Sequence, residues 1–555
     1  MLKDFKFPEK LGRKEYEALR DPLRERLTVL QQQAKIAGMG TVIIFEGWGA
    51  AGKGSRISDL VVGLDPRAYS VHTMNDPVGY ENSQPFMTRY WSRLGPRGTM
   101  TIFDLAYYDE LSRAYVEDVR LQGDPKLDPE QRHALARRAE ERIHEHLKSV
   151  GAFERQLSAD GWLIVRLFLH IDREMQAARL TNLLSEEASS WKVDPSDIKQ
   201  LQHYDEYRDV YDRWLSMTGD DAWTIVPSEH KRNANICIMQ AIADKMDAAL
   251  RARGVDTSQP IPAGDEQPAA PAASAADDAP NEDAELSEKK RHKAELAAAK
   301  KRTGSADKLK SSFELVSVKT LDEVREKKHV MKSDEEYREE LERQQARLSE
   351  LSLQMYRHKL PLIVAYEGWD AAGKGGNIKR LTAAMDARDY RVNPIGAASK
   401  DELARPFLWR FWTKVPRAGH AAIFDRTWYG RVLVERIEGF AREDEWKRAF
   451  DEINEFEDDL RIWGAVLVKF WIDVSPDEQL RRFEERQNDP AKHWKITADD
   501  WRNREKNDLY FQCVNDMLRL TSTPYAPWHV IPSDDKRYAR VKALKIVNDA
   551  LEARL

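Results

Sequence analysis

Residues 368–374 read Gly-Trp-Asp-Ala-Ala-Gly-Lys. Glycines at the first and sixth places let backbone N–H groups approach phosphate oxygens, a following helix adds the partial positive charge of its N-terminus, and the lysine reaches the outer phosphates. The segment follows an apolar run, PLIVAYE at 361–367, and precedes a helical pattern, NIKRLTAAMD. In that strand–loop–helix setting the residues predict a phosphate-binding loop; outside it they would be only a flexible glycine turn. Gly368, Gly373, Lys374 and Gly375 are the expected phosphate contacts. Where a Ser or Thr hydroxyl would ligate Mg²⁺ stands Gly375, so a metal there has to rely on carboxylates. Two are at hand: Asp370 inside the loop and Asp425 at the end of the apolar run AAIFD, 421–425.

A carboxylate at the C-terminal end of a strand borders the crevice where open α/β sheets bind ligands, although the same residue on its own could be a turn or cap. Arg426 and Arg431 follow in DRTWYGR, where guanidinium groups could hold phosphoryl oxygens bidentately. Farther on, RRFEERQNDPAKHWKITADDWRNREK at 481–506 sets Arg486, Lys492 and Lys495 among a proline and two tryptophans. Mixed charge on a helix is usually a solvated face. The turn PAKHWK between helical runs instead suggests a mobile basic lid that excludes water from a phosphate site. Trp409, Phe411 and Trp412 are read as core.

These residues need a scaffold. Apolar β-rich runs at 361–367, 390–395, 421–425, 465–472 and 528–532 alternate with long helical stretches. Near-continuous apolar runs suit strands buried on both faces, which predicts an α/β fold with a parallel sheet covered by helices. The same pattern occurs earlier in the chain. EGWGAAGKG at 46–54 matches EGWDAAGKG at 367–375, TIFD ending at Asp104 matches AIFD ending at Asp425, and WTIVPSEHKR at 223–232 matches WHVIPSDDKR at 528–537. The chain is a tandem duplication. Between the copies, residues 262–285 contain no Val, Ile, Leu, Met or aromatic side chain and cannot offset the entropy of ordering. The expected division is 1–255, a linker at 256–311, and 312–555. Within that linker, LSEKKRHKAELAAAKKR favours helix but lacks an apolar stripe, so a solvated or marginal helix is expected.

Composition narrows the classes. The 555 residues exceed what one hydrophobic core supports, and 88 Lys+Arg against 94 Asp+Glu leave a net charge of −6, so no global field attracts nucleic acid or an anionic membrane. The two cysteines, Cys237 and Cys513, lack metal-ligand spacing and suit a reducing compartment. No signal-peptide h-region or long uncharged apolar stretch is present, and a cytoplasmic location is expected. The sequence leaves room for a homo-oligomer.

EGWDAAGKGG, FDRTWYGR, the VERIEGF that follows, and the R-x-x-x-P-x-K-x-W-K lid resemble the polyphosphate kinase 2 family, and the duplicated layout is similar to its two-domain members. The likeness covers nearly the whole chain outside the linker. It implies two tandem P-loop kinase-like domains with a helical lid, Mg²⁺, and transfer of the terminal phosphoryl group of inorganic polyphosphate to a nucleotide, AMP in two-domain members. On that reading Asp370 and Asp425 bind Mg²⁺ and orient the acceptor, Lys374, Arg426 and Arg431 stabilise the phosphoryl group, and Arg486, Lys492 and Lys495 hold the polyphosphate chain. The first copy departs from this pattern: Gly49 stands for Asp370, Leu105 for Arg426, Glu110 for Arg431, Leu183 for Arg486 and Ser189 for Lys492, while Lys53, Asp104 and Lys192 remain. Its expected role is structural or regulatory. The rivals are a polyphosphate-dependent kinase acting on ADP or GDP, an ATP-dependent nucleoside monophosphate kinase, against which Gly375 argues, and a non-catalytic polyanion binder.

Overall fold

Each copy builds its own sheet. In a computed structural model, which describes residues 2–74, 76–122, 126–185, 187–191, 193–219, 222–258, 284–325, 329–488 and 498–555, the chain forms two compact units, one around each sheet. The first sheet comprises β1 (Thr41–Gly47), β2 (Tyr69–Thr73), β3 (Met100–Asp104), β4 (Leu163–His170) and β5 (Trp223–Pro227), in the order β2-β3-β1-β4-β5. The second comprises β6 (Leu362–Gly368), β7 (Tyr390–Pro394), β8 (Ala421–Asp425), β9 (Val466–Asp473) and β10 (Trp528–Pro532), in the order β7-β8-β6-β9-β10. All neighbours are parallel. The expected α/β class and parallel sheets are what the chain adopts. All eight residues of β9 are buried, so its sheet is covered on both faces, as the apolar runs required.

The two sheets place equivalent loops at equivalent strand ends. Gly47 and Gly368 close the central strands at φ +121° and +148°, and a β-carbon on either would come within 2.3 Å of the carbonyl oxygen of Leu169 or Ile472 on the neighbouring strand. Only glycine fits there. The chain then turns into the helices Lys53–Val61 and Lys374–Thr382, each preceded by a glycine in left-handed conformation, Gly52 and Gly373.

A buried network fixes the segment after β8. Lys469 and Glu457 pair at 2.7 Å with both side chains fully buried. Tyr429 and Trp428 donate to Glu457 at 2.7 and 3.0 Å, and Lys469 also donates to the Thr521 carbonyl at 2.6 Å. Such a pair is tolerable because its donors and acceptors find partners. The first copy keeps the design with arginine for lysine: Arg166 pairs with Glu154 at 2.6 Å, and Tyr107 donates to Glu154 at 2.7 Å.

The stretch after residue 284 differs from the expected solvated or marginal helix. A helix spans Ala284–Thr303. Its final turn is held, with Ala299 and Thr303 buried. The cause is Arg436, itself fully buried, which donates to the carbonyls of Thr303 at 2.7 Å and Gly304 at 3.4 Å, pairs with Asp516 at 2.9 Å and lies 3.9 Å from the ring centre of Trp446. The helix needs no apolar stripe because a distant arginine caps its last carbonyls. Within the stretch read as linker, residues 284–303 are therefore helical, as the composition favoured, and the helix is anchored at its C-terminal end.

Among the described residues no helix is long and apolar enough to cross a membrane. Cys237 and Cys513 are free thiols. Phe411 and Trp412 are core, as expected, whereas Trp409 is only half-buried.

Candidate active site

The loop between β6 and the helix Lys374–Thr382 turns at Ala371, whose φ of +60° is unusual for a residue with a β-carbon. Arg426, next after β8, has φ +64°. Each such conformation costs on the order of 1–3 kcal/mol unless its surroundings enforce it. For Arg426 the enforcement is visible: its N–H donates to the Tyr366 carbonyl at 3.1 Å, and Thr427 donates through its N–H and its hydroxyl, both at 2.7 Å, to Oε1 of Glu367. Burial raises the Glu367 carboxyl above the ordinary carboxylate range, against the lowering effect of the Thr427 hydrogen bonds and of Lys374 and Arg426.

Behind the loop lies Arg482, 2% exposed. Its guanidinium donates to the carbonyls of Ala371 at 3.0 Å, Ala372 at 3.2 Å and Asp534 at 3.1 Å, and to that of Ser533, while Glu478 accepts from its Nε at 2.7 Å. Arg482 thereby ties the loop carbonyls of Ala371 and Ala372 to the segment after β10 at Ser533 and Asp534. Lys374 Nζ donates to the carbonyls of Gly368 at 2.6 Å and Trp369 at 3.2 Å.

In front of the loop opens a cleft that, open solvent included, spans about 650 Å³. Glu367, Gly368, Trp369 and Asp370 form one wall; Arg426, Gly430, Leu433 and Val434 a second; Trp471, Gln479, Asn503, Arg504 and Tyr510 complete it. Arg426 and Asp370 meet across it at 3.4 Å. An anion-binding loop, a carboxylate and a guanidinium around an aromatic-lined cleft suit a phosphorylated ligand, with charge on both sides of a transferring phosphoryl group.

Of the residues singled out from sequence, Gly368, Asp370 and Arg426 line this cleft, and Lys374 is tied to its loop. Gly373 caps the helix, and beside Gly375 the space for a β-carbon is open. Asp425 ends β8 beside Tyr366 of β6, and its charge is felt by Arg426. Arg431 lies outside the cleft lining: it sits in the turn Trp428–Val432, pairs with Glu435 at 3.2 Å and lies 4.6 Å from the ring centre of Phe407. Arg486 lies in the helix Pro476–Asn488, one turn beyond Arg482, and does not line the cleft either. Lys492 and Lys495 lie outside the described residues.

The sequence reading missed Glu367, Gln479, Arg482, Asn503 and Tyr510. The repeat held a signal for several: Glu46, Gln176, Arg179 and Tyr207 occupy the matching places in the first copy. There Arg179 donates to the carbonyls of Ala50 at 3.0 Å, Ser228 at 2.7 Å and Glu229 at 2.8 Å, the same grip on the same loop. Lys53 likewise donates to Gly47 and Trp48, each at 2.9 Å. Around Gly49 the copies part. The helix Pro195–Gln202 brings Gln200 to accept from the Gly49 N–H at 2.6 Å, and Trp48 stacks on Tyr204 with ring centres 3.9 Å apart.

A family model described as Polyphosphate kinase 2 matches the chain twice, over residues 10–254 and 331–555. The polyphosphate:AMP phosphotransferase of Pseudomonas aeruginosa is 34% identical over 537 residues, which cover 96% of this chain and 94% of its own. That of Acinetobacter johnsonii is 31% identical over 512 residues, covering 92% and 91%. A shorter relative, the ADP-polyphosphate phosphotransferase 3 of Rhizobium meliloti, is 38% identical over 208 residues, covering 38% of this chain and 73% of its own. A crystal structure of a polyphosphate kinase 2 from Pseudomonas aeruginosa superposes with a TM-score of 0.73 at 31% identity, covering 100% of this chain and 99% of that one. Two matched regions, one around each phosphate-binding loop, and relatives aligned along almost the full length agree: the chain belongs to the polyphosphate kinase 2 family.

Proposed function

We propose that the protein transfers the terminal phosphoryl group of inorganic polyphosphate to AMP, giving ADP, and that the second copy carries the reaction. The observation that carries the proposal is the cleft: Asp370, Arg426 and the Lys374 loop converge in the second copy, while the first has Gly49 and Leu105 at the two decisive places. Full-length relatives named polyphosphate:AMP phosphotransferases support AMP as acceptor.

The donor set suits a hard divalent cation. Asp370 and Asp425 offer oxygen only, none of the described residues lining the cleft is His or Cys, and Mg²⁺ commonly takes one or two carboxylates plus substrate phosphates. Among the described residues no cluster of three or more such ligands forms, so phosphate and water would complete its shell. Mg²⁺ at these carboxylates would neutralise charge on the phosphoryl oxygens.

At neutral pH the AMP phosphate is largely a dianion, its second pKa being near 6, and attacks the terminal phosphorus without a strong base. An oxygen of AMP forms the new P–O bond as the bridging oxygen of polyphosphate leaves with the shortened chain. The protein supplies position and charge. Lys374 exchanges its loop carbonyls for phosphate oxygens, and Arg426 stands at the cleft rim to meet the group in flight. Arg431 joins it by giving up Glu435. Arg486, Lys492 and Lys495 are assigned to the polyphosphate chain, and a cytoplasmic setting would supply both substrates.

Protein, Mg²⁺ and AMP are mixed with polyphosphate or with ATP, and ADP is measured. Polyphosphate-dependent ADP formation is expected. Transfer only from ATP would make the protein a nucleoside monophosphate kinase, and transfer only to ADP would align it with its shorter relatives.

A further inference from the structure

Asp370 is gripped at both ends. Its carbonyl accepts from Gln479 Nε2 at 3.0 Å, and Gln479 Oε1 accepts from Arg504 at 3.0 Å; Arg504 also donates to the Pro476 carbonyl at 2.8 Å. Its carboxylate accepts from Asn503 Nδ2 at 2.9 Å on Oδ2, with Arg426 at 3.4 Å from Oδ1. Tyr510 donates to Asn503 Oδ1 at 3.4 Å, which leaves the amide nitrogen facing the carboxylate. Asn503 and Arg504 are neighbours on the helix Ala498–Glu505, which directly follows the basic segment assigned to polyphosphate.

The first copy supplies a comparison inside the same chain. Gln176 donates to the Gly49 carbonyl at 3.3 Å, as Gln479 does to Asp370. Gln200 stands at the place of Asn503, but its longer side chain reaches past the absent carboxylate and accepts from the Gly49 N–H at 2.6 Å. One methylene thus separates an amide that grips the loop backbone from an amide that orients a loop carboxylate.

We infer that Asn503 is a positioning residue, which holds the Asp370 carboxylate in the orientation that receives the metal. The inference rests on the reading of Asp370 as a metal-binding residue. Hydrogen-bond partners of ligating carboxylates fix their direction, and losing one commonly costs about 10–100-fold in metal affinity or activity.

The test compares Asn503→Leu, Asn503→Gln, Asp370→Asn and the double variant Asn503→Leu/Asp370→Asn in the full chain. Mn²⁺ binding is followed by electron paramagnetic resonance, and kcat and KM for AMP are measured alongside. Asn503→Leu is expected to weaken Mn²⁺ binding and lower kcat by about tenfold or more, with KM for AMP changed less than about twofold. Asn503→Gln should behave alike, because the longer amide reaches for the Asp370 N–H, and it guards against a leucine that merely unsettles the helix. The double variant should be no worse than Asp370→Asn alone. Multiplying losses in the double variant, or wild-type Mn²⁺ affinity in Asn503→Leu, would overturn the inference while Asp370→Asn stays impaired and the reading of the site stands. Full activity and Mn²⁺ binding in Asp370→Asn would overturn both.

Discussion

A β-carbon placed on Gly49 would fall 2.2 Å from Oδ1 of Asp197. The Asp197 carboxylate therefore lies against the very point from which an aspartate side chain would spring in the second copy. Its Oδ2 accepts from the Asp194 N–H at 3.1 Å, half of the box that caps the helix Pro195–Gln202. Restoring the missing aspartate has to evict another. Gly49→Asp should cost about 1–2 kcal/mol through the broken cap, with added repulsion between two carboxylates. It should confer no phosphoryl transfer when Lys374→Ala silences the second copy. Unfolding monitored by denaturant and an ADP assay on that double variant check both parts, and ADP above the Lys374→Ala background would refute the second.

Catalysis should be one-sided. Lys374→Ala and Asp370→Asn are each expected to lower kcat by about a hundredfold or more, since charge stabilisation is usually the largest catalytic term. Lys53→Ala, at the matching place, should leave kcat within about twofold. Equal losses at Lys53 and Lys374 in folded protein would move the chemistry out of the second copy alone.

Arg436 should hold the helix Ala284–Thr303. Arg436→Met strands Asp516, which is buried, and releases the last turn of the helix. A loss of about 2–3 kcal/mol is expected, since the buried Asp516 keeps only the longer contact to Arg519 at 3.5 Å. Trypsin should then cut among the lysines at 300–301 long before the rest of the chain, and unchanged proteolysis there would disprove the anchor.

The first unit should lose stability in acid through His170. This ring is 3% exposed, accepts from Trp48 Nε1 at 2.9 Å on Nδ1, and has its pKa pushed down to about 4, chiefly by burial. The folded state refuses a proton that the unfolded state takes near 6.5, so stability falls as pH drops from about 6.5 to about 4 and levels off below. Over that span the loss is on the order of 3 kcal/mol. His146 is pushed down to about 4 as well, chiefly by burial, so His170→Gln should make this limb shallower and His170→Gln with His146→Gln should flatten it, while an unaltered limb in the double variant would assign it to other groups.

How far the sequence reaches is visible residue by residue. The five strands of the second half lie within one residue of the apolar runs that foretold them, because a strand buried on both faces must be apolar throughout. The loop was legible for a similar reason: glycine is required where β9 passes within 2.3 Å. Asn503 was not legible, since it reaches Asp370 from 133 positions away and an isolated asparagine in a charged helix carries no mark of its target. The anchoring of the helix Ala284–Thr303 was hidden likewise, because its partner, Arg436, lies far along the chain and the helix itself shows no apolar stripe. The partner of Arg431 was hidden too, as a guanidinium near a phosphate motif gives no sign that Glu435, one turn on, pairs with it at 3.2 Å.

The backbone strain at the strand ends is common to both copies. Ala50 and Leu105 in the first copy keep φ near +60°, as Ala371 and Arg426 do in the second. In the second copy that torsion aims a guanidinium into a cleft; in the first it aims a leucine. The side chains differ between the copies while the torsions agree, because both sheets end in the same turn. The first copy thus repeats in its main chain the outline of the second copy's cleft wall without its side chains, and Ala50 and Leu105 are the places where a glycine would relieve the torsion and stabilise the protein.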